Sequence, residues 1–291
     1  MINVFIAQHK LEEGFESNAR QYFVPLAQHI NTKQSRSSLP FFVGINGCQG
    51  SGKSTLSTFL KYYINETFGL NVVAMSLDDF YYGQKDRHLI AKQIHPLLKT
   101  RGVPGTHNIS LAKSVLLALK NQQSTAIPKF NKATDDLVAE SKWKKVNPNI
   151  DVVIFEGWCW GITPQSPEAL INPINTLESN HDKDGTWRQY VNLQISQHYQ
   201  PLYELMDTWV YLKAPSFKEV FSWRVEQEIK LREATSFGNQ TAIMDKDQVR
   251  QFIQHYQRLT EYGFSCLPSS SDYVFELGAS RNIISQTLNT L

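Results

Sequence analysis

The stretch of sequence that decides the fold is Phe41-Phe42-Val43-Gly44-Ile45-Asn46-Gly47-Cys48-Gln49-Gly50-Ser51-Gly52-Lys53-Ser54-Thr55. It opens with a short apolar run, which is typical of a strand buried on both faces of a parallel sheet. The part from Gly47 to Ser54 matches the pattern G-x-x-x-x-G-K-[ST], and apolar residues continue after it at helical spacing. The segment therefore predicts a strand, a phosphate-binding loop and a helix, in that order.

The loop residues have separate predicted roles. Glycines let backbone N–H groups converge on phosphate oxygens, and the N-terminus of the following helix adds partial positive charge. We expect Lys53 to contact the β and γ phosphates of ATP and Ser54 to bind Mg²⁺, while all residues from Gly47 to Thr55 contribute to the nucleotide site. Cys48 is either a reactive thiol or a small residue that fills its place in the loop, and the second interpretation is favoured.

Four further apolar runs predict strands, and helical patterns separate them. These runs are residues 71–75, 151–155, 208–212 and 273–277. Alternation of strands and helices predicts a doubly wound α/β P-loop fold with about five parallel strands in one domain that spans residues 1–291.

Three helical additions to this fold are predicted. Residues 1–38 form an N-terminal extension whose helix is kinked or restarted at Pro25. Residues 158–205 form an insert, and residues 216–262 form a lid-like region. Within the lid, the Gly, Asn and Ser-rich residues 235–241 are expected to be a mobile tip.

Two acidic motifs follow predicted strands, at the sheet edge where ligands of open α/β folds bind. Glu156 ends the third strand and is expected to hold Mg²⁺, or to contact the acceptor, unless it simply faces solvent. Asp78 and Asp79 follow the second strand, where a carboxylate can accept the proton of an attacking hydroxyl. Because chain neighbours point apart, one of these two acids is expected to form a turn or cap a helix instead.

Together these motifs resemble the phosphoribulokinase and uridine kinase superfamily and, within it, the D-glycerate 3-kinase family. The resemblance covers about residues 41–277 and rests on the phosphate loop with four further segments. These are Asp78-Asp79-Phe80-Tyr81, Arg101-Gly102-Val103-Pro104-Gly105-Thr106-His107, Phe155-Glu156-Gly157-Trp158 and Trp223-Arg224-Val225-Glu226-Gln227-Glu228.

The resemblance implies roles for two residues. Asp78 takes the position of the general base, and Arg224 that of an arginine in a lid that closes over the phosphates, with Arg232 as a second candidate. Helical periodicity alone favours another interpretation, in which Arg224 and Glu228 form an i,i+4 pair on a charged outer face. Phe217, Val220, Phe221 and Leu231 lie at positions expected to face inward.

The implied activity is transfer of the γ-phosphate of ATP, with Mg²⁺, to an alcohol group of a small metabolite. D-Glycerate is the first candidate acceptor, a nucleoside such as uridine is the alternative, and an ATP-binding regulatory protein without kinase activity is the rival function. A GTPase is disfavoured, because Asn131-Lys132-Ala133-Thr134 lacks the aspartate of a guanine-binding N-K-x-D motif.

The acceptor site is predicted from charge. An acceptor carboxylate needs a fixed cation, and Arg101 in its glycine-rich setting suits that role. His107 is expected to add a hydrogen bond, unless both residues only stabilise a turn. Further candidates for this site are Asp79, Tyr81, Lys129 and Lys132. The chain departs from glycerate kinases here, with Pro128-Lys129-Phe130-Asn131-Lys132 in place of an Arg-Tyr-Asp-Lys element and Asp135-Asp136-Leu137 in place of an arginine-rich stretch.

Composition excludes several other classes of function. The formal charge is +2, from 29 basic and 27 acidic residues, so no strong field attracts the chain to nucleic acid or to a membrane surface. Cys48, Cys159 and Cys266 are widely spaced, which favours a reducing compartment. No stretch approaches the roughly 20 apolar residues of a membrane span. We therefore expect a cytoplasmic protein that is free to enter the nucleus, and the sequence does not decide its oligomeric state.

Overall fold

The computed structural model describes residues 1–12, 14–234 and 244–289, without the side chains of Leu231 and Ala234. Within these ranges the strands of the main sheet are β1 (Phe41–Gly47), β2 (Val72–Ser76), β3 (Val152–Gly157), β4 (Thr208–Lys213), β5 (Tyr273–Leu277) and β6 (Ile283–Leu288). Their order across the sheet is β6-β5-β4-β1-β3-β2. The first five strands are parallel, and β6 is antiparallel to β5. The predicted α/β fold with five parallel strands is confirmed.

The sixth strand has no counterpart in the sequence prediction. Of its residues, Ile283 is buried, while the others are exposed or partly exposed. An edge strand of this kind lacks the continuous apolar run by which the buried strands were predicted. By contrast, every residue of β1 and β3 is buried, so the centre of the sheet is covered on both faces.

Helices surround this sheet. Their bounds are α1 Ile2–His9, α2 Gly14–Asn18, α3 Val24–Gln34, α4 Lys53–Phe68, α5 Gln84–Gln93, α6 Ile109–Lys120, α7 Thr176–His181, α8 Thr186–Gln194, α9 Gln200–Tyr203, α10 Phe217–Ala234 and α11 Lys246–Ser270. Short π-helical segments span Ala19–Phe23 and Ile195–Tyr199, and short 3₁₀ segments span Leu77–Phe80, Pro96–Lys99, Glu140–Lys142 and Glu168–Leu170. No described helix is long and apolar enough to cross a membrane.

Two small antiparallel ribbons lie between α6 and β3. One pairs Thr125–Ile127 with Lys144–Val146, and the other pairs Phe130–Asn131 with Asp136–Leu137. The second belongs to a hairpin of residues 129–138, in which the Val138 N–H donates to the Lys129 carbonyl, and this hairpin carries charged side chains toward the predicted acceptor site.

The structure shows local features of two predicted additions, the N-terminal extension and the lid-like region. Helix α3 has Pro25 in its first turn, where the missing N–H has no helical partner to lose. In α10, Val220 is buried, and Phe217 and Phe221 pack partly buried against the core. The predicted tip at residues 235–241 and the side chain of Leu231 lie outside the described residues.

Strand register brings the chemical motifs to one edge of the sheet. Ile45 of β1 pairs with Glu156 of β3, and Ser76 of β2 pairs with the same residue. The phosphate loop follows β1 directly, and Asp78 follows β2. The carboxyl ends of three adjacent strands therefore deliver the predicted site residues to one cleft.

Candidate active site

The loop between β1 and α4 has the geometry that the motif requires. Gly50 and Gly52 have φ angles of 79° and 89°, a left-handed conformation that favours glycine. A Cβ atom on Gly50 would lie 2.6 Å from Cβ of Trp223, because α10 packs directly against the loop. Gly50 is therefore fixed by its backbone conformation and by its contact with the predicted lid.

A partly buried lysine, Lys53, and a buried glutamate, Glu156, lie where the loop meets β3. Burial by itself would lower the pKa of Lys53, but the carboxylates of Glu156 and Asp78 outweigh it and raise that pKa. Ser54 donates a hydrogen bond from Oγ to Glu156 Oε1 at 2.7 Å. Oε2 of Glu156 is buried and has no hydrogen-bond partner among the described residues. Burial raises the pKa of Glu156, and Lys53 opposes that shift.

The thiol of Cys48, which lies near Lys53, is a poor nucleophile. Cys48 is buried, and burial raises the pKa of its thiol to about 12 in spite of nearby Lys53. A thiol protonated at neutral pH is a poor nucleophile, which agrees with the interpretation of Cys48 as a filler of the loop.

Each of the two adjacent aspartates is paired with a lysine of the hairpin. Lys132 Nζ lies 2.6 Å from Asp78 Oδ2, and Lys129 Nζ lies 3.0 Å from Asp79 Oδ1. Burial would raise the pKa of Asp78, but Lys132 and then Lys53 lower it well below its usual range. The helical turn that holds both acids is capped by Ser76, whose Oγ accepts from the Asp78 N–H.

Tyr81 and His107 form a stacked pair behind Asp78. Their ring centroids are 4.3 Å apart at an interplanar angle of 21°, and their backbones form an antiparallel bridge. The hydroxyl of Tyr81 donates to Asp78 Oδ1 at 3.1 Å. His107 is buried and contacts Tyr199, a residue of the insert that sequence analysis did not identify.

Arg101 does not present a free guanidinium. It forms an ion pair with Asp135 of the hairpin and lies over the Phe130 ring, 5.5 Å from its centroid. Asp135 is shared with the buried Arg87, whose Nη2 lies 2.7 Å from Oδ2. Asp135 thus joins two cations, and an acceptor carboxylate that binds Arg101 would have to displace it.

Arg224 forms the i,i+4 ion pair that helical spacing predicts, with Glu228. Its guanidinium also lies 5.7 Å from the centroid of the Phe252 ring on α11. Burial and then Asp78 raise the pKa of Tyr256, while Arg101 and Arg224 oppose that shift. The Tyr256 hydroxyl donates to the Arg101 carbonyl at 3.1 Å. Arg232 is exposed at the end of α10. The role of Arg224 in a closing lid stays a prediction.

A cavity of about 550 Å³ lies beside the phosphate loop. It is bounded by the N-terminal region, the loop, α10 and the turn after β5, represented by Phe15, Gly52, Gln227 and Asn282. In that turn, Arg281 donates from Nε to the Gly50 carbonyl at 2.7 Å. Arg281 was not predicted from the sequence. It follows the carboxyl end of a parallel strand, and ligands of open α/β folds bind at that edge, so its position could have identified it.

The known proteins that are similar to this chain are named as kinases. No protein-family model matches the chain. The uncharacterized kinase mug58 of Schizosaccharomyces pombe is 33% identical over 253 residues, which are 84% of this chain and 83% of that protein. Chloroplastic D-glycerate 3-kinase of Arabidopsis thaliana is 27% identical over 227 residues, 75% of this chain but only 46% of that protein. The solved structure of D-glycerate 3-kinase from Cryptococcus neoformans superposes with a TM-score of 0.77 at 25% identity, and the match covers 92% of this chain and 99% of that one.

Proposed function

The chain belongs to the D-glycerate 3-kinase-like family of ATP-dependent P-loop kinases, and we propose from its site that it phosphorylates a hydroxyl of a small hydroxy acid, with D-glycerate as the first candidate. The observation that carries this proposal is the register of three adjacent strands, which brings Asp78 and the phosphate loop with Lys53 to one edge of the sheet. Each of the two side chains moves the pKa of the other toward its charged form. A carboxylate that can accept the proton of a hydroxyl group thus lies close enough to interact electrostatically with the lysine that is expected to bind the γ-phosphate.

Two regions of the chain would bind different parts of the ATP molecule. The phosphates would lie on the loop from Gly47 to Thr55, with the ammonium of Lys53 neutralising charge on the β and γ groups. The loop forms one wall of the cavity of about 550 Å³, to which we assign the nucleoside part of ATP.

The residues present also fit a Mg²⁺ ion. Ser54 supplies a hydroxyl and Glu156 a carboxylate whose buried Oε2 lacks a protein partner in the described chain. Oxygen ligands of this kind, completed by phosphates and water, are those that Mg²⁺ prefers. When bound, the ion would neutralise charge that develops on the phosphates.

Asp78 would act on the acceptor. Its depressed pKa keeps the carboxylate ionised at neutral pH, so it is ready to accept the hydroxyl proton as the new P–O bond forms. Lys132 covers this carboxylate in the absence of an acceptor. An acceptor with its own negative group would draw Lys132 away, which raises the basicity of Asp78 at the moment when a base is needed.

The test compares D-glycerate with glycerol, which has the hydroxyl groups but no carboxylate. ADP and product formation are measured with ATP and Mg²⁺ for the wild type, for Arg101→Ala, and for Arg36→Ala as a control at an exposed arginine after α3. We expect strong preference for D-glycerate in the wild type and in Arg36→Ala, and reduced preference in Arg101→Ala, because the guanidinium fork of Arg101 lies at the proposed acceptor site.

The same assay includes uridine and pantothenate as further acceptors. Turnover of uridine without turnover of D-glycerate would refute the hydroxy-acid proposal and leave the kinase activity intact. If ATP binds but no acceptor is phosphorylated, the rival function of an ATP-binding regulator is favoured instead.

A further inference from the structure

One nitrogen of the buried His107 side chain is satisfied and the other is not. Nδ1 lies 2.7 Å from the hydroxyl oxygen of Tyr199. Nε2 is buried and has no hydrogen-bond partner within the described part of the chain. An unsatisfied buried polar group destabilises a protein, so the unpaired Nε2 requires an explanation.

The hydrogen bonds around Tyr199 favour one tautomer of this histidine. The N–H of Gly105 donates to the Tyr199 hydroxyl oxygen at 3.3 Å, so the hydroxyl proton is available to donate to Nδ1 of His107. In that arrangement the imidazole proton is on Nε2, and a single group lacks a partner. The reverse tautomer would leave two unpaired groups among the described residues, namely the Tyr199 proton and the Nε2 lone pair.

The imidazole also lies beside the proposed catalytic base. It stacks on Tyr81, whose hydroxyl donates to Asp78 Oδ1 at 3.1 Å. Burial lowers the pKa of His107 to about 3, and the Asp78 carboxylate opposes that shift. The ring is therefore neutral at physiological pH and carries one N–H.

We propose that Tyr199 positions His107 as its Nε2–H tautomer, and that this N–H donates a hydrogen bond to an oxygen of the acceptor beside Asp78. The inference rests on the proposed function, since it names a donor for the same hydroxy acid. Its source is a different part of the chain: Tyr199 ends the π-helical segment Ile195–Tyr199 and is completely buried. The insert thus supplies a group that orients the acceptor site, as π-helical turns at functional sites often do.

The kinetic test uses four variants and the acceptor D-glycerate. Tyr199→Phe removes the donor to Nδ1, and Tyr203→Phe is the matched control, because it removes a tyrosine hydroxyl of the same insert that donates to the Ile162 carbonyl at 3.1 Å. We expect kcat/KM for D-glycerate to fall about tenfold in Tyr199→Phe, as for one lost hydrogen bond of about 1.4 kcal/mol, with the KM for ATP unchanged. Tyr203→Phe should match the wild type.

His107→Gln and His107→Asn separate the two ring nitrogens. A glutamine amide can place an N–H near the position of Nε2, whereas an asparagine amide reaches only the position of Nδ1. We expect His107→Gln to retain more of the kcat/KM for D-glycerate than His107→Asn does. Equal loss in these two variants, or equal behaviour of Tyr199→Phe and Tyr203→Phe, would overturn the proposal.

A second measurement separates this inference from the proposed function. In ¹⁵N-histidine NMR spectra of the wild type without acceptor, the His107 resonances should show a protonated Nε2 and an unprotonated Nδ1, and Tyr199→Phe should alter this pattern. A protonated Nδ1 in the wild type refutes the inference whatever the acceptor is. Absence of turnover with D-glycerate, together with the expected tautomer, refutes the proposed acceptor while the role of Tyr199 stands.

Discussion

Replacing Lys132 by methionine should shift the acid limb of the pH profile for kcat/KM to higher pH. This limb reports the base of the free enzyme, which we assign to Asp78. The carboxylate is active when ionised, and Lys132 at 2.6 Å favours that form, so the folded-state pKa lies below its usual value. Loss of the ammonium raises the pKa, and activity is then lost at a higher pH as the solution is acidified.

The expected size of the pKa shift of Asp78 follows from the solvent exposure of the two paired side chains. The side chain of Lys132 is 62% exposed, whereas that of Asp78 is 21% exposed. An ion pair with an exposed partner contributes up to about 1 kcal/mol, and one pKa unit corresponds to about 1.4 kcal/mol. We therefore expect a shift of about 0.7 unit, while Lys53 continues to hold the pKa of Asp78 below that of an ordinary aspartate.

Lys129→Met provides the matched control for this experiment. Lys129 is equally exposed in the same hairpin, but it pairs with Asp79 instead. The assay measures kcat/KM for D-glycerate through the range in which aspartates titrate, with circular dichroism to verify that each variant stays folded. An equal shift in both variants, or a shift only in Lys129→Met, would remove Asp78 from the role of base.

Four other substitutions test the remaining parts of the site. Lys53→Ala should abolish phosphoryl transfer and weaken ATP binding in calorimetric titration, because charge on the β and γ phosphates loses its neutralising partner; unchanged turnover would contradict the nucleotide site. Asp78→Asn should lower kcat by about 10²–10⁴-fold with little change in ATP affinity, whereas Asp79→Asn should be milder, and the reverse order in steady-state kinetics would move the base to Asp79. Arg224→Ala should lower kcat by about 10²-fold with ATP affinity nearly unchanged, and loss of thermal stability with full kcat would reduce the Arg224–Glu228 pair to a structural one.

The parts of the fold that could be predicted from the sequence are those determined by local signals. The apolar runs that became β1 to β5 are buried on the sheet, and their buried positions are encoded in continuous hydrophobic segments. The phosphate loop is also local, because backbone conformation at Gly50 and Gly52 follows from residue type. Strand β6 escaped prediction since its side chains are mostly exposed and its pairing depends on β5.

The partners of the site residues could not be predicted, because they come from distant parts of the chain. Lys132 is 54 residues from Asp78, and Tyr199 is 92 residues from His107. Lys129 and Lys132 were predicted as candidates for the acceptor site, but nothing in the sequence assigned either lysine to Asp78 or Asp79. Tyr199 has the pattern of a core aromatic residue. Only the tertiary packing of the hairpin and the insert against the sheet edge gives them their contacts.

The charge pairs of the cleft favour an anionic acceptor over a nucleoside. Arg101 and Lys132, the two cations proposed for the acceptor, are each paired with a carboxylate of the protein, Asp135 and Asp78 respectively. A hydroxy acid can replace either carboxylate with its own, so the cation remains paired throughout the exchange. A neutral nucleoside that separated Arg101 from Asp135 would leave the partly buried guanidinium without a partner, which is costly in a protein interior. In the proposed reaction, exchange at Lys132 would also release Asp78 to accept the hydroxyl proton, so recognition of the acceptor charge and activation of the base would be one event.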